Sequence, residues 1–163
     1  MRILFLTLLT ITLQSTSYTP EFLIDYTIKN IGYSRNYYIS DPDRYLMNNF
    51  DFVESARILE YLYRYRGIKS FFYIVKNIND LSNNFPRKIA YGLATRLDYD
   101  FYASNYLVFV ITIEQGQYFY YAGNNISYLN YNVIQSLFIN NAQYFRDGYY
   151  GLGLLNIIKG FYS

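Results

Sequence analysis

Apolar positions concentrate in a run at residues 107–113, LVFVITI, broken only by Thr112 and rich in β-branched and aromatic side chains. A run this short and this branched predicts a strand, and its lack of alternation predicts cover on both faces. Glu114, Gln115 and Gly116 follow as a polar turn, with Gly116 suited to the positive φ of a tight hairpin. Residues 117–122, QYFYYA, then return as a tyrosine-dense second strand. A strand buried on both faces needs helices on both sides.

The flanking pattern supplies them. In residues 51–67, Phe52, Ala56, Leu59 and Tyr63 recur at helical spacing, Ile58, Leu62 and Tyr65 widen the stripe, and Gly67 is placed to cap the end. Arg57, Arg64 and Arg66 fall off that stripe and read as a solvated face. Residues 69–78 form a second apolar strand. Pro86 fits the first turn of a helix reaching about Leu97, with Ile89, Leu93 and Leu97 on one side. Asn130 or Asn132 can cap a helix over 133–142, Asp147 and Gly148 break the chain, and residues 149–161 close it as a helix. Gly151 and Gly153 lower the propensity of that last helix, and read either as close helix–sheet packing or as merely tolerated. Residues 18–38 read as a lead-in punctuated by Pro20, Asn30 and Gly32, with room for a short strand. Pro42 excludes Asp41 from helical geometry and can itself open a helix with Asp43 in its first turn. The order is helix, strand, helix, hairpin, helix, helix. It predicts an α/β domain over residues 39–163 with a mixed sheet covered on both faces.

Residues 1–17, MRILFLTLLTITLQSTS, have a different character: one basic residue, an eleven-residue apolar core interrupted by threonines, and Ser15 and Ser17 at a small-x-small site. That is the layout of a signal peptide cleaved after Ser17. It is shorter than the roughly 20 apolar residues a spanning helix needs, and no later stretch reaches that length. The expectation is a secreted or luminal protein, without a transmembrane helix in the mature chain, that associates with membranes only through a partner.

Composition narrows the chemistry. Aromatics make up 22% of the 163 residues, which excludes a disordered chain. Tyr, Asn, Ile and Phe rise together, as an A/T-rich coding sequence would cause, yet Lys is scarcer than Arg. A tyrosine-rich binding surface is the functional counterpart, because Tyr offers a large amphipathic area with few rotamers to freeze. Without Arg2 the 14 basic residues become 13, against 12 acidic ones, so charge gives no case for nucleic acid. There is no Cys and no His. Disulfide scaffolds, thiolate sites and Ser/His or Cys/His triads are therefore excluded, and no catalytic residue is assigned. No Gly-rich phosphate loop is present. What remains is oxygen chemistry, with Asp41, Asp98 and Asp100 as candidate ligands for a hard cation such as Ca²⁺, against the ordinary use of Asp in turns and caps. Asn125 begins an Asn-Ile-Ser sequon just past the hairpin, a candidate glycosylation site.

Four stretches carry a resemblance. They are the Ser-Asp-Pro-Asp run containing Asp41, Pro42 and Asp43, followed by Leu46; LVFVITIE at 107–114; the strand ending at Gly123; and FRDGYYGLGLLNIIKG, with Phe145, Gly148 and Tyr150 in a Phe-x-x-Gly-x-Tyr turn. In their order and spacing the chain resembles the TPM-domain superfamily, and within it the nematode modulator-of-levamisole-receptor family. The superfamily implies a three-layer α/β/α sandwich on a mixed sheet. The modulators imply a non-enzymatic, extracellular accessory to acetylcholine-gated receptors. Other relatives imply a divalent-metal-dependent phosphatase, and those carry Asp-Asn-Gly before the central strand, where this chain has Ser104, Asn105 and Tyr106. The modulators usually carry cysteines and a membrane helix, and this sequence contains neither.

Overall fold

A computed structural model describes residues 17–33, 35–46, 50–97, 105–126 and 128–162. The elements are α1 (Pro20–Asn30), β1 (Tyr37–Ser40), α2 (Phe50–Arg66), β2 (Lys69–Val75), α3 (Asn84–Arg96), β3 (Tyr106–Thr112), β4 (Gln117–Ala122), a 3₁₀ turn (Asn124–Ile126), α4 (Tyr131–Arg146) and α5 (Tyr150–Tyr162). The sheet order is β1-β2-β3-β4, with β1, β2 and β3 parallel and β4 antiparallel to β3. The expected central hairpin is there, and every residue of β3 is buried. Gly116 takes φ 61° in its turn.

Pleating sends alternate side chains to two separate cores. On one side Phe72, Ile74, Leu107, Phe109 and Ile111 meet Leu59 and Leu62 of α2, Ile134 of α4, and Leu154, Ile158 and Phe161 of α5. Phe109 is the centre of that layer, with its ring 5.7 Å from those of Phe72 and Tyr118 and 5.9 Å from Phe161. On the other side Phe71, Tyr73, Val75, Val108 and Val110 meet Leu23 and Ile24 of α1 and Phe85, Ile89 and Leu93 of α3. The result is the expected α/β/α sandwich. One consequence follows from topology alone. The β1-α2-β2 and β2-α3-β3 connections step the same way across the sheet, yet α2 and α3 cover opposite faces. The two crossovers therefore have opposite hands, and one of them is of the rare left-handed kind.

Four expectations are corrected. The lead-in contains α1, whose Thr19 caps it by accepting from the Phe22 N–H at 3.2 Å and whose Pro20 stands at its first position. Pro42 does not open a helix: residues 41–46 are turns, because Asp41 draws the following N–H groups onto its own side chain. The second strand stops at Val75 rather than 78, where the chain turns to pair Ile78 with Tyr18. Finally, Gly153 lies against another helix, not the sheet: a Cβ there would stand 2.7 Å from the Phe145 ring of α4.

Candidate functional site

Three parallel strands end at one edge of the sheet, where open α/β sheets usually bind ligands. There the structure gathers the turn after β1, residues 76–78 after β2, and Glu114 and Gln115 after β3. Asp41 accepts from the Tyr45 N–H at 2.8 Å and the Leu46 N–H at 2.6 Å, and its carbonyl accepts from the Arg44 N–H at 3.1 Å. Closing this loop puts Arg44 in the left-handed region, at φ 62°. Burial raises the Asp41 carboxyl above its ordinary value, against the opposing pull of the Leu46 and Tyr45 N–H groups. Asp43 accepts from the Tyr18 hydroxyl at 2.8 Å and the Lys76 N–H at 2.7 Å, so it ties together three separate segments. Burial and this bond to Asp43 push the Tyr18 phenol up. Glu114 accepts from Asn77 Nδ2 at 3.1 Å and pairs with Lys76 Nζ at 3.2 Å, while Gln115 makes two 3.0 Å bonds to the backbone of Ile78.

The carboxylates of this edge are thus engaged by N–H and O–H donors at different points. Among the described residues no three acidic groups converge as a cation site. Asp98 and Asp100, the other candidate ligands, lie outside the described residues, as does Ser104. Asn105, just after them, stands at the amino end of β3, the opposite edge from Asp41.

The opening and closing motifs meet in space, while Gly123 stands at the opposite end of the sheet. Gly148, at φ 81°, ends α4 in a turn where the Tyr149 N–H reaches Tyr144 O at 2.8 Å and the Gly148 N–H reaches Phe145 O at 3.3 Å. That pair of bonds needs a left-handed residue, hence glycine. It aims Tyr150 at Tyr45, ring to ring at 5.0 Å and edge-on. The opening turn and the closing motif, over a hundred residues apart, are one contact. Gly123 extends the hairpin ladder by donating to Tyr106 O at 2.8 Å. Asn125 is exposed in the 3₁₀ turn, while Ser127 of its sequon lies outside the described residues.

A second feature escaped the sequence reading. Along the outer edge of β4 runs a groove of about 900 Å³, its floor formed by Tyr118 to Ala122. Asn83, Asn84 and Arg87 at the start of α3 wall one side, and Asn124 and Tyr131 lie at the other. The Tyr118 and Tyr120 phenols are raised, by burial first and by Tyr131 second. The only available signal was the tyrosine density of residues 117–122.

No family model and no curated protein matches this chain. Solved structures do. The N-terminal domain of a protein from P. gingivalis superposes with a TM-score of 0.72 at 16% identity, covering 90% of each chain. The N-terminal domain of the cg2496 protein from Corynebacterium glutamicum gives 0.53 at 10% identity over 78% of each. At such identities the likeness is one of fold.

Proposed function

We propose, from the premise that this chain has the TPM-domain-like α/β/α fold, that it is a non-enzymatic binding module acting outside the cell. Its partner would be a cell-surface receptor or another extracellular protein. The observation that carries this reading is the contrast between the two edges. At the carboxyl edge the acidic groups are spent on fixing loops, whereas the β4 groove presents half-buried tyrosine rings and amides. Tyr-rich concave surfaces suit protein recognition. The finer assignment, an accessory to acetylcholine-gated receptors like the nematode modulators of levamisole receptors, rests on the sequence motifs, whose opening and closing members pack together at Tyr45 and Tyr150. No helix among the described residues is long and apolar enough to cross a membrane, which fits association through a partner.

The test is electrophysiological and chemical. Adding the purified protein to oocytes that express a levamisole-sensitive receptor should change the acetylcholine-evoked current, and an unchanged current overturns the receptor assignment. Calorimetry with Ca²⁺ and Mg²⁺, together with p-nitrophenyl phosphate turnover, addresses the competing phosphatase. Tight binding with metal-dependent turnover, both lost in Asp98→Asn or Asp100→Asn, would replace the binding module by an enzyme.

A further inference from the structure

β4 ends the sheet, and its backbone decides what the groove can hold. The Gly123 N–H bonds Tyr106 O, and in an antiparallel ladder the inward-facing residues alternate. Tyr121 and Phe119 therefore direct their N–H and C=O groups to β3, while Tyr118, Tyr120 and Ala122 direct theirs outward. Among the described residues no other segment takes a backbone hydrogen bond from these three. Natural edges are usually blunted by lysine, proline, a bulge or shortness. β1, the other edge, has only four residues and runs straight into Asp41-Pro42. β4 has six residues, QYFYYA, with no charge and no proline, paired one-to-one along its whole length.

The walls give the groove two chemistries. Tyr118 and Tyr120 turn their rings to the face covered by α4 and α5, on the same side as Tyr131. On the other side stands Arg87, exposed and without an ion pair to any described residue, next to the amides of Asn83 and Asn84. An extended chain laid along β4 would alternate its side chains between these walls.

We infer that the β4 groove captures an extended peptide segment of a partner protein as a fifth strand, with apolar or aromatic side chains toward Tyr118, Tyr120 and Tyr131 and an acidic side chain toward Arg87. This is strand addition, in which main-chain bonds give affinity and alternate side chains give specificity. The groove favours a single strand over a second copy of this chain by charge: a two-fold pairing would bring two Arg87 guanidinium groups to it, whereas an acidic peptide complements one. The inference deepens the binding-module reading and rests on it.

The test pans a displayed library of random nine-residue peptides against the purified protein. Enriched sequences should alternate acidic with aromatic or aliphatic residues and lack central prolines. A fluorescein-labelled synthetic copy of the best sequence should bind saturably, lose at least tenfold in affinity to Arg87→Glu, and recover with Arg87→Lys. N-methylating the peptide at alternate residues should abolish binding in one register and spare it in the other, a control that leaves the protein untouched. Amide exchange at Tyr118, Tyr120 and Ala122 should slow on binding. No enrichment over empty beads, binding indifferent to N-methylation in both registers, or a concentration-dependent dimer that Arg87→Glu strengthens would each overturn strand capture. If peptides fail while the protein still alters receptor current, the binding module stands and only this groove loses its role.

Discussion

A methyl group added at Gly153 would place a carbon 2.7 Å from Phe145 Cε2 and 3.0 Å from Cζ. The ring belongs to the α4–α5 contact and stacks at 6.3 Å on Phe138, so making room for the methyl disturbs that packing. Overpacking of this kind costs about 1–3 kcal/mol, against a gain of up to ~1 kcal/mol in helix propensity. Gly153→Ala should therefore lower urea stability by about 1 kcal/mol. In a Phe145→Leu background the same change should become neutral or stabilising, and a penalty that persisted there would remove the ring from the explanation. Asp41 makes a residue-level prediction of a different kind. Its folded carboxyl is raised above its ordinary value of 3.8, so the native state holds that proton more tightly than the unfolded chain. Its contribution is full below that ordinary value and is lost as pH rises through the higher folded one. Asp41→Asn removes the ionisation, so the variant should gain stability relative to the parent as pH climbs from 3.8. Denaturant midpoints measured in parallel across the acidic range check the sign.

Helix α4 depends on the residue just before it. Asn130 accepts from the Val133 N–H at 3.1 Å with extended backbone, the geometry of a good cap. Asn130→Ala should cost about 1 kcal/mol, and Asn130→Asp should retain most of it, as measured by thermal unfolding. This cap, the Gly67 stop with its 2.8 Å bond to Tyr63 O, and the hairpin were legible because each is set by neighbours in sequence. α1 was hidden in plain view. Thr19, Pro20 and Glu21 spell a helix start, but its buried stripe is only Pro20, Leu23, Ile24 and Thr27, with two aliphatic side chains, too thin to stand out from a polar background. Thr27 is satisfied only in three dimensions, by Leu23 O and the Tyr73 hydroxyl, each at 2.8 Å. Long-range facts had no local trace at all: the opposite hands of the two crossovers, the meeting of Tyr45 with Tyr150, and the spending of Asp43 on Tyr18 and Lys76. The acidic residues could be nominated by type, but their partners come from strand ends that only the sheet brings together. The groove at β4 needed the sheet order to show which strand was left at the edge.

Across the molecule, the tyrosines set a ceiling on alkaline stability. Burial is the main cause that pushes Tyr38 and Tyr45 up to about 12, and it pushes Tyr73, fully enclosed and bonded to Thr27, higher still. Each such phenol resists ionisation while folded and ionises freely once unfolded. Its contribution is complete below the ordinary value of 10.0 and falls as pH rises through the folded value. Absorbance of phenolate against pH should therefore show two phases. The late phase belongs to enclosed tyrosines such as Tyr73 and appears only with the loss of circular dichroism. A single smooth titration with the fold intact would contradict the burial described here. Tyr73→Phe should move the second phase to higher pH, because it removes one ionisation that drives unfolding.

Tyr18 has a consequence in time rather than in space. Its N–H donates to Asn77 O and its carbonyl accepts from the Asn79 N–H, each at 3.1 Å, while its phenol reaches Asp43. If residues 1–17 are the signal peptide expected from the sequence, a peptidase cutting after Ser17 would have to reach the bond entering this residue before it docks. Such a cut would also change the donor, since an amide would become an ammonium facing the same carbonyl, and a charged donor makes the stronger bond. Trimming would then finish the fold as well as free the chain. A form beginning at Tyr18 should melt above the same form acetylated at that amine. The difference is full at neutral pH and fades as pH rises past about 8, where an α-amino group gives up its proton.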